Sequence, residues 1–338
     1  MSRITFAIVG LGHIGKRYAD LIQSRDDAKI VAMVETNLDL HLALNKSYSC
    51  TVFSDIHDLV NQQESIDVVC LATPNYLHCE QASFLLNKGF HVVIEKPMGL
   101  SSYECQVVID TAKSNNRNVF CVMQNRYSPP SSWLKSVIDA NLLGAIFHVQ
   151  INCFWNRDNR YYQNSSWKGK KQLDGGTLFT QFSHFVDTLY WVFGDIENVQ
   201  SRFKNYNHKQ SIEFEDTGLI NFDLVKGGSG TISYSTSVWN KNLESSITVI
   251  GERGSIKVGG QYMDKVLHCD IENYVMPVLP ETNAANDYGN YKGSAANHQY
   301  VIQNVIDVLN GADIIKTSAE EGLKVVEIIE RIYSSEFY

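Results

Sequence analysis

The segment Gly10-Leu11-Gly12-His13-Ile14-Gly15 follows the apolar run ITFAIV at 4–9 and opens a helical pattern at 13–24. A strand, a glycine turn and a helix in that order constrain the fold more than any other feature of the chain. The first glycine permits the tight bend, the second lets a backbone approach a pyrophosphate, and the third lets helix and strand pack closely. The anion then meets N–H groups at the positive end of the helix dipole. Glu35 closes the second apolar run, about 20 residues beyond the last glycine, where an acid accepts hydrogen bonds from both ribose hydroxyls. Thr36 and Asn37 follow it, with no arginine to receive a 2′-phosphate, so the pattern selects NAD over NADP.

From Ile4 to Met123 short β-branched runs alternate with helical segments, the pattern of a parallel sheet covered on both faces. Strands are expected at 4–9, 29–35, 50–53, 67–72, 91–95 and 118–123, and helices at 13–24, 38–48, 55–62, 76–88 and 101–115. Ser101 and Glu104 have capping-box spacing, and Gly89 stops the fourth helix. After Pro129-Pro130 the texture changes to a helix at 131–142, longer strands at 145–155, 197–206, 214–225, 229–239, 245–250 and 254–258, and a helix at 177–193 entered through Gly175-Gly176. Helices at 295–310 and 318–334 close the chain, the second capped by Ser318 and Glu321. The fold class is therefore α/β: a doubly wound Rossmann domain at 1–125, then an α+β domain at 126–338 whose C-terminal helix can pack back on the first domain.

Ligands of doubly wound sheets bind outside the carboxyl ends of the strands, which places Ala72-Thr73-Pro74-Asn75 and Glu95-Lys96-Pro97 beside the cofactor. A lysine there, near a positive nicotinamide and partly desolvated, has its pKa lowered toward the range useful for proton transfer. The plain alternative is a surface cation paired with Glu95.

GLGHIG, TPNYLH (73–78), EKP with Met98-Gly99, QNRY (124–127) and GGTLFTQFSHFVDTLYW (175–191) together resemble the Gfo/Idh/MocA oxidoreductases of sugars and cyclitols, over nearly the whole chain. The resemblance implies a second domain built on an open-faced, mostly antiparallel sheet that mediates dimers or tetramers. It also implies that Lys96 and His184 sit at the nicotinamide and the substrate carbon. The expected cofactor contacts are Gly10, Leu11, Gly12, His13, Ile14, Gly15, Glu35, Thr36, Ala72, Thr73, Pro74, Asn75, His78, Glu95, Lys96, Gln124 and Trp167, and the expected substrate contacts Lys96, Arg126, Arg157, Tyr161, Thr180 and His184. Many members carry Asp four residues before the histidine, where this chain has Thr180. Positions 180 and 184 share a helix face, so Thr180 still reaches a substrate by hydrogen bond but takes no proton. Acid and base work falls on Lys96 and His184. Asp187 either orients the imidazole or is a surface acid. Within the family, QNRY, NCFWNR, SSWKG and LDGGTLFTQFSHFVD are most similar to bacterial UDP-2-acetamido-2-deoxy-glucuronate 3-dehydrogenases, which serve surface-polysaccharide sugar synthesis.

Between Trp155 and Lys171, Arg157, Arg160, Lys168, Lys170 and Lys171 face one acid, Asp158, among Tyr161, Tyr162 and Trp167. Long loops without their own structure commonly bind something, and cations with aromatic rings suit a phosphate, a carboxylate and a sugar face. A solvated loop or a subunit contact explains the same letters. The polar stretch 283–298 either closes over substrate, with Ser294 and Asn297 near an anionic group, or is a connector with Asn297 capping the next helix.

The formal charge of −8, from 37 acidic and 29 basic side chains, disfavours nucleic acid as a partner. No run has the length of a membrane span, and the N-terminus lacks a cleavage site of the signal-peptide type. Seven cysteines without C-x-x-C read as buried free thiols of a cytoplasmic protein, with no metal expected. The leading expectation is an NAD-dependent dehydrogenase acting on C3 of a nucleotide-linked uronic acid, with Lys96 as base and His184 assisting. The alternatives are a dehydrogenase of a free sugar or inositol, a non-catalytic NAD-responsive regulator, and an NAD-dependent glycosidase.

Overall fold

The computed structural model describes residues 3–61, 65–163, 165–289 and 291–336. Gln62 at the end of the expected third helix, Asn164 in the basic segment and Asn290 in the 283–298 stretch lie outside the described residues. The chain divides into two compact units, residues 1–122 with 298–326, and residues 123–297 with 327–338.

In the first unit the order is β1 (Ile4–Val9), α1 (His13–Gln23), β2 (Ala28–Val34), α2 (His41–Tyr48), β3 (Thr51–Phe53), α3 (Ile56–Leu59), β4 (Val68–Leu71), α4 (His78–Asn87), β5 (His91–Ile94), α5 (Ser102–Ser114) and β6 (Val119–Cys121). The strands form one parallel sheet in the order β3-β2-β1-β4-β5-β6. Every residue of β4 is buried, as an apolar run covered on both faces must be. α1 buries Gly15, Tyr18, Ala19 and Ile22, a stripe at helical spacing that lays the helix on the sheet. Chain order reverses between β1 and β4, and that crevice is the ligand position of such sheets. The expected Ser101 capping box is not made: its side chain accepts no bond from the first turn, and α5 opens on the backbone bond from Cys105 N to Ser101 O.

The second unit holds α6 (Pro129–Asp139), β7 (Ile146–Phe154), α7 (Asn159–Tyr162), α8 (Lys171–Asp174), α9 (Ser183–Phe193), β8 (Ile196–Lys204), β9 (Thr217–Leu224), β10 (Ser229–Ser235), β11 (Glu244–Gly251), β12 (Gly254–Gly259), β13 (Lys265–Ile271), β14 (Ala285–Asp287) and β15 (Lys292–Ala295). Seven of these strands make a mixed sheet, β13-β12-β11-β7-β10-β9-β8, antiparallel except where β7 meets β10. The sheet is packed from one side by aromatic rings: Trp155 lies edge-on to Phe182 and Phe185, and Phe182 meets Tyr234. Thr180 lies in a turn of π-helix, Leu178–Phe182, that leads into α9. The basic segment is partly helical, through α7 and α8.

α10 (His298–Leu309) and α11 (Ala319–Ser334) close the chain. The Ser318 capping box forms in both directions, Ser318 N to Glu321 Oε2 at 3.0 Å and Glu321 N to Ser318 Oγ at 3.2 Å. All seven cysteines are free thiols, six of them buried. Among the described residues no helix is long and apolar enough to cross a membrane.

One sheet contact depends on a neutral imidazole. At the start of β5, His91 Nδ1 accepts the backbone N–H of Asn118 at 2.9 Å, and a protonated ring cannot accept there. Burial lowers the His91 pKa below its ordinary value, helped by Arg117 and opposed by Asp67. A histidine whose folded pKa is depressed contributes stability that is complete above about pH 6.5 and lost as pH falls through the folded pKa. Tm should therefore drop on acidification from about pH 7.5 to about pH 5.5. His91→Asn keeps an acceptor that does not titrate and should flatten that slope in a calorimetric series; parallel slopes for the two proteins would remove His91 from the account.

Candidate active site

The glycine turn is built by close backbone approach. Gly10 has φ +88°, the left-handed region that favours glycine. A Cβ on Gly15 would stand 1.8 Å from the Gly10 carbonyl oxygen, so helix and strand touch there through backbone alone. Gly12 differs: nothing lies within 4 Å of a Cβ built on it. Gly12 is the N-cap of α1, no side chain caps the helix, and its first turn carries no acid. The first turn of the helix thus leaves its N–H groups without an acid of its own among the described residues, beside open space at Gly12, which fits a pyrophosphate. Glu35 reaches back under this turn: Oε2 accepts Leu11 N at 3.1 Å and Oε1 accepts Asn37 N at 2.9 Å. Thr36, next to it, is exposed, and neither chain neighbour of the pair is Lys or Arg. The donor set fits NAD, as the sequence predicts.

The ends of β4 and β5 lie beside that turn in the same unit. A Cβ on Gly10 would meet Ala72 O at 2.8 Å, so the turn and the Ala72-Thr73 backbone are in contact. Thr73 donates its hydroxyl to Gln81 Oε1 at 2.7 Å, and Pro74 leads into a short turn, Asn75–Leu77, in which Asn75 is buried. His78 is enclosed between two carbonyls, Nδ1 at 2.8 Å from Pro97 O and Nε2 at 2.9 Å from Thr73 O. It therefore clamps the two strand-end loops to each other. Burial pushes its pKa down, and the two carbonyls, each best met by an N–H, only partly offset that.

Glu95 is the buried charge of this unit. Its Oε1 accepts the Tyr18 hydroxyl at 2.6 Å and lies 3.5 Å from His298 Nε2, while Oε2 accepts the backbone N–H of Lys96 at 3.2 Å. Burial opposes the charge, but His298, Tyr18 and the Lys96 ammonium outweigh it and hold the carboxyl below the ordinary carboxylate range. Glu95 is thus fixed by α1 and α10 and in turn fixes the start of the Lys96 turn.

In the second unit QNRY forms a short helical turn. Arg126 is buried and forks onto Asp187, Nη2 to Oδ1 at 2.6 Å and Nε to Oδ2 at 3.0 Å, with its guanidinium over the Trp191 ring. Asp187 is fully buried, so it is not a surface acid. Gln124 donates to Ser294 Oγ at 3.0 Å, and its Oε1 is buried with no hydrogen-bond donor among the described residues. Asn297 donates to Gln124 O and Ser128 Oγ, which ties the end of the 283–298 stretch to QNRY.

Arg157 is interior, 2% exposed. Its guanidinium donates to Gln181 Oε1, Asn156 O, Asn242 Oδ1 and Lys292 O, between the rings of Trp155, Tyr161 and Tyr291. It fastens the β14–β15 hairpin to the sheet. Tyr161 is buried and its hydroxyl accepts from Gln181 Nε2 at 2.8 Å, while Trp167 is half-buried. Thr180 and His184 lie one turn apart at the start of α9, and the Thr180 hydroxyl bonds the Asp174 carboxylate. A buried Glu215 sets the entry to that turn: it accepts from Tyr333 at 2.6 Å, Tyr234 at 2.7 Å and Thr177 N at 3.2 Å, and burial pushes its carboxyl up.

Tyr18, His298, Asp174 and Gln181 are absent from the sequence-based site. Tyr18 had one legible signal, its place on the buried stripe of α1. The other three are single polar letters whose side-chain partners lie five or more residues away.

Residues 4–123 match the model of an oxidoreductase family with an NAD-binding Rossmann fold, and residues 132–257 that of the GFO/IDH/MocA C-terminal domain. The WlbA dehydrogenase of Bordetella pertussis, crystallised with NADH and UDP-GlcNAcA, is 31% identical, the match covering 98% of this chain and 96% of that one with a TM-score of 0.89. The WlbA dehydrogenase of Chromobacterium violaceum, with the same two ligands, is 28% identical over 99% of this chain and 94% of that one, with a TM-score of 0.90. A glucose-6-phosphate 3-dehydrogenase of Bacillus subtilis is 24% identical over 97% of this chain and 95% of its own length.

The two helix-start glycines predict opposite failures. Gly12→Ala meets no protein atom and should leave Tm unchanged while weakening NAD binding by about tenfold or more in a calorimetric titration, because the methyl group occupies the pyrophosphate approach. Gly15→Ala drives a Cβ into the Gly10 carbonyl and should lower Tm as well. Undiminished NAD affinity in Gly12→Ala would contradict the placement of the anion.

Proposed function

The chain belongs to the Gfo/Idh/MocA oxidoreductase family, and from that premise we propose that it oxidises the C3 hydroxyl of a UDP-linked N-acetylglucosaminuronic acid with NAD as the oxidant. The observation that carries this reading is the likeness, over nearly the whole chain and at 28% and 31% identity, to two dehydrogenases whose structures hold NADH and UDP-GlcNAcA. The product is a 3-keto sugar for surface-polysaccharide synthesis.

The bound cofactor supplies the hydride acceptor. In its neutral amine form, favoured beside a positive nicotinamide, Lys96 would take the hydroxyl proton as the C3–H bond gives up its hydride to the bound oxidant, so that alcohol would become ketone and the proton would reside on the amine. Glu95, ionised and bonded to the Lys96 backbone N–H, supports that charge. His184 hydrogen-bonds the sugar, and Gln124 Oε1 offers an acceptor to a bound amide or hydroxyl. Among the cations of the 155–171 segment, Lys170 and Lys171 are exposed and available to a phosphate or carboxylate. The exposed face of the second sheet, with Leu219 and Ile250 outward, is the surface for pairing with a second copy.

Purified protein with NAD and UDP-GlcNAcA should yield reduced cofactor and a sugar lighter by two hydrogens, read in a single turnover so that reoxidation in place does not hide it. Lys96→Met should bind NAD as the wild type does and lose about a hundredfold or more in kcat, the usual worth of a general base. His184→Asn should lose less, about tenfold. Wild-type kcat in Lys96→Met would remove the lysine from the chemistry, and no turnover of any nucleotide-linked uronate would remove the substrate.

A further inference from the structure

Glu35 directly follows β2, and the next four residues, 36–39, are all exposed, so burial does little to fix the path of the chain there. Hydrogen bonds hold it instead. Asn37 Oδ1 accepts Asp39 N at 3.1 Å, Leu40 N donates to Asn37 O at 3.1 Å, and α2, which begins at His41, buries only Leu44. His41 then turns back on the loop: its Nε2 lies 2.6 Å from the backbone carbonyl of Glu35, six residues earlier. A carbonyl has no proton to give, so this nitrogen carries the N–H and donates.

The bond completes a set. Glu35 N donates to Phe53 O at 2.9 Å, its carbonyl accepts from His41, and its two carboxylate oxygens accept Leu11 N and Asn37 N. The backbone of this one acid is thus held on one side by the residue that ends β3 and on the other by the residue that begins α2. Loss of the imidazole releases the carbonyl and with it the peptide that leads into Thr36, and no buried side chain in 36–39 takes its place. The carboxylate then depends on Leu11 and Asn37, and Asn37 belongs to the same loosened loop.

We propose that His41 is a positioning residue for the choice of cofactor: by closing the loop from Glu35 to its own ring it keeps the Glu35 carboxylate turned under the glycine turn, and so favours NAD over NADP. This rests on the reading that Glu35 meets the ribose hydroxyls, and it adds a residue that lies outside the glycine motif. An acid held in that place accepts from a 2′-hydroxyl and repels a 2′-phosphate. An acid free to swing away does both less well, so the loss falls on NAD and not on NADP.

The test is calorimetric titration with NAD and with NADP, in the absence of any sugar. His41→Ala should weaken NAD by about three- to tenfold, the usual worth of one hydrogen bond, and leave NADP within about twofold, so that the preference falls by the first factor. His41→Gln, whose side-chain amide donates from a similar reach, should keep the wild-type preference within about twofold. In the Glu35→Ala background, where the preference is already reduced, His41→Ala should lower it no further, because its effect runs through the absent carboxylate. A merely structural His41 would weaken both cofactors together and would not be rescued by the donor in His41→Gln; either result overturns the proposal. An unchanged preference in His41→Ala beside a reduced one in Glu35→Ala overturns the role of His41 and leaves the ribose reading standing. An unchanged preference in Glu35→Ala removes the ribose reading, and the proposal with it. Nitrogen NMR of the labelled wild-type protein needs neither cofactor nor variant: a proton on Nε2 of neutral His41 supports the bond, and a neutral ring protonated only on Nδ1 overturns it.

Discussion

The first unit depends on one carboxylate sealed at the end of a strand. An isolated charge of that kind costs several kcal/mol to bury, so Glu95 persists only because each oxygen is met. Tyr18 arrives from the helix that the glycine turn begins, His298 from α10, and the Lys96 backbone from the turn that Glu95 itself opens. The same bonds that make the charge tolerable therefore define where the lysine begins. Removing any partner leaves the carboxylate to be satisfied by movement of that turn. A residue that reads in the sequence as one letter of a tripeptide is in the structure the joint between the helix that follows the glycine turn and the turn that carries Lys96.

The second unit uses the same device three times around one helix. Arg126 with Asp187, Asp174 with Thr180, and Glu215 with two tyrosines each bury an ionisable side chain whose polar atoms are met by specific partners. Gly176 belongs with them, because a Cβ there would stand 2.4 Å from the Tyr333 hydroxyl that serves Glu215. Polar sets of this sort contribute little net stability, but they fix orientation, since a half-made set is worse than an apolar one. They surround the π-turn and the first residues of α9, where a wider turn re-aims the side chains that follow. Thr180 and His184 are held by this framework rather than by helix propensity.

What was legible in the sequence follows from what each element buries. The parallel sheet is nearly continuous apolar sequence, so its strands and their order of appearance stand out. β13 does not stand out, because it is an edge strand whose Lys265, Leu267 and His268 are exposed and whose apolar signal is weak. The glycine turn and Glu35 are local, within one strand-turn-helix-strand unit, and a local motif survives in the letters. Ser101 and Ser318 share the capping-box spacing, yet only Ser318 makes the box, because spacing permits a side-chain bond without requiring it. Tyr18 and His298 act through a partner that chain folding alone brings near, and beyond the place of Tyr18 on the buried stripe of α1 their immediate sequence does not mark that partner.

The basic segment shows the same difference between counting charges and placing them. Five cations against one acid between 155 and 171 read as a positively charged loop. Arg157, however, spends its donors inside the protein, and Arg160 pairs with Asp158 at 2.5 Å. Lys168 lies 3.9 Å above the Tyr161 ring, a cation used to cover an aromatic face. The exposed positive charge of this segment therefore comes from fewer groups than the count implies, chiefly Lys170 and Lys171. Two ammonium groups suffice to hold one anionic group, and exposed ones contribute more to encounter than to affinity.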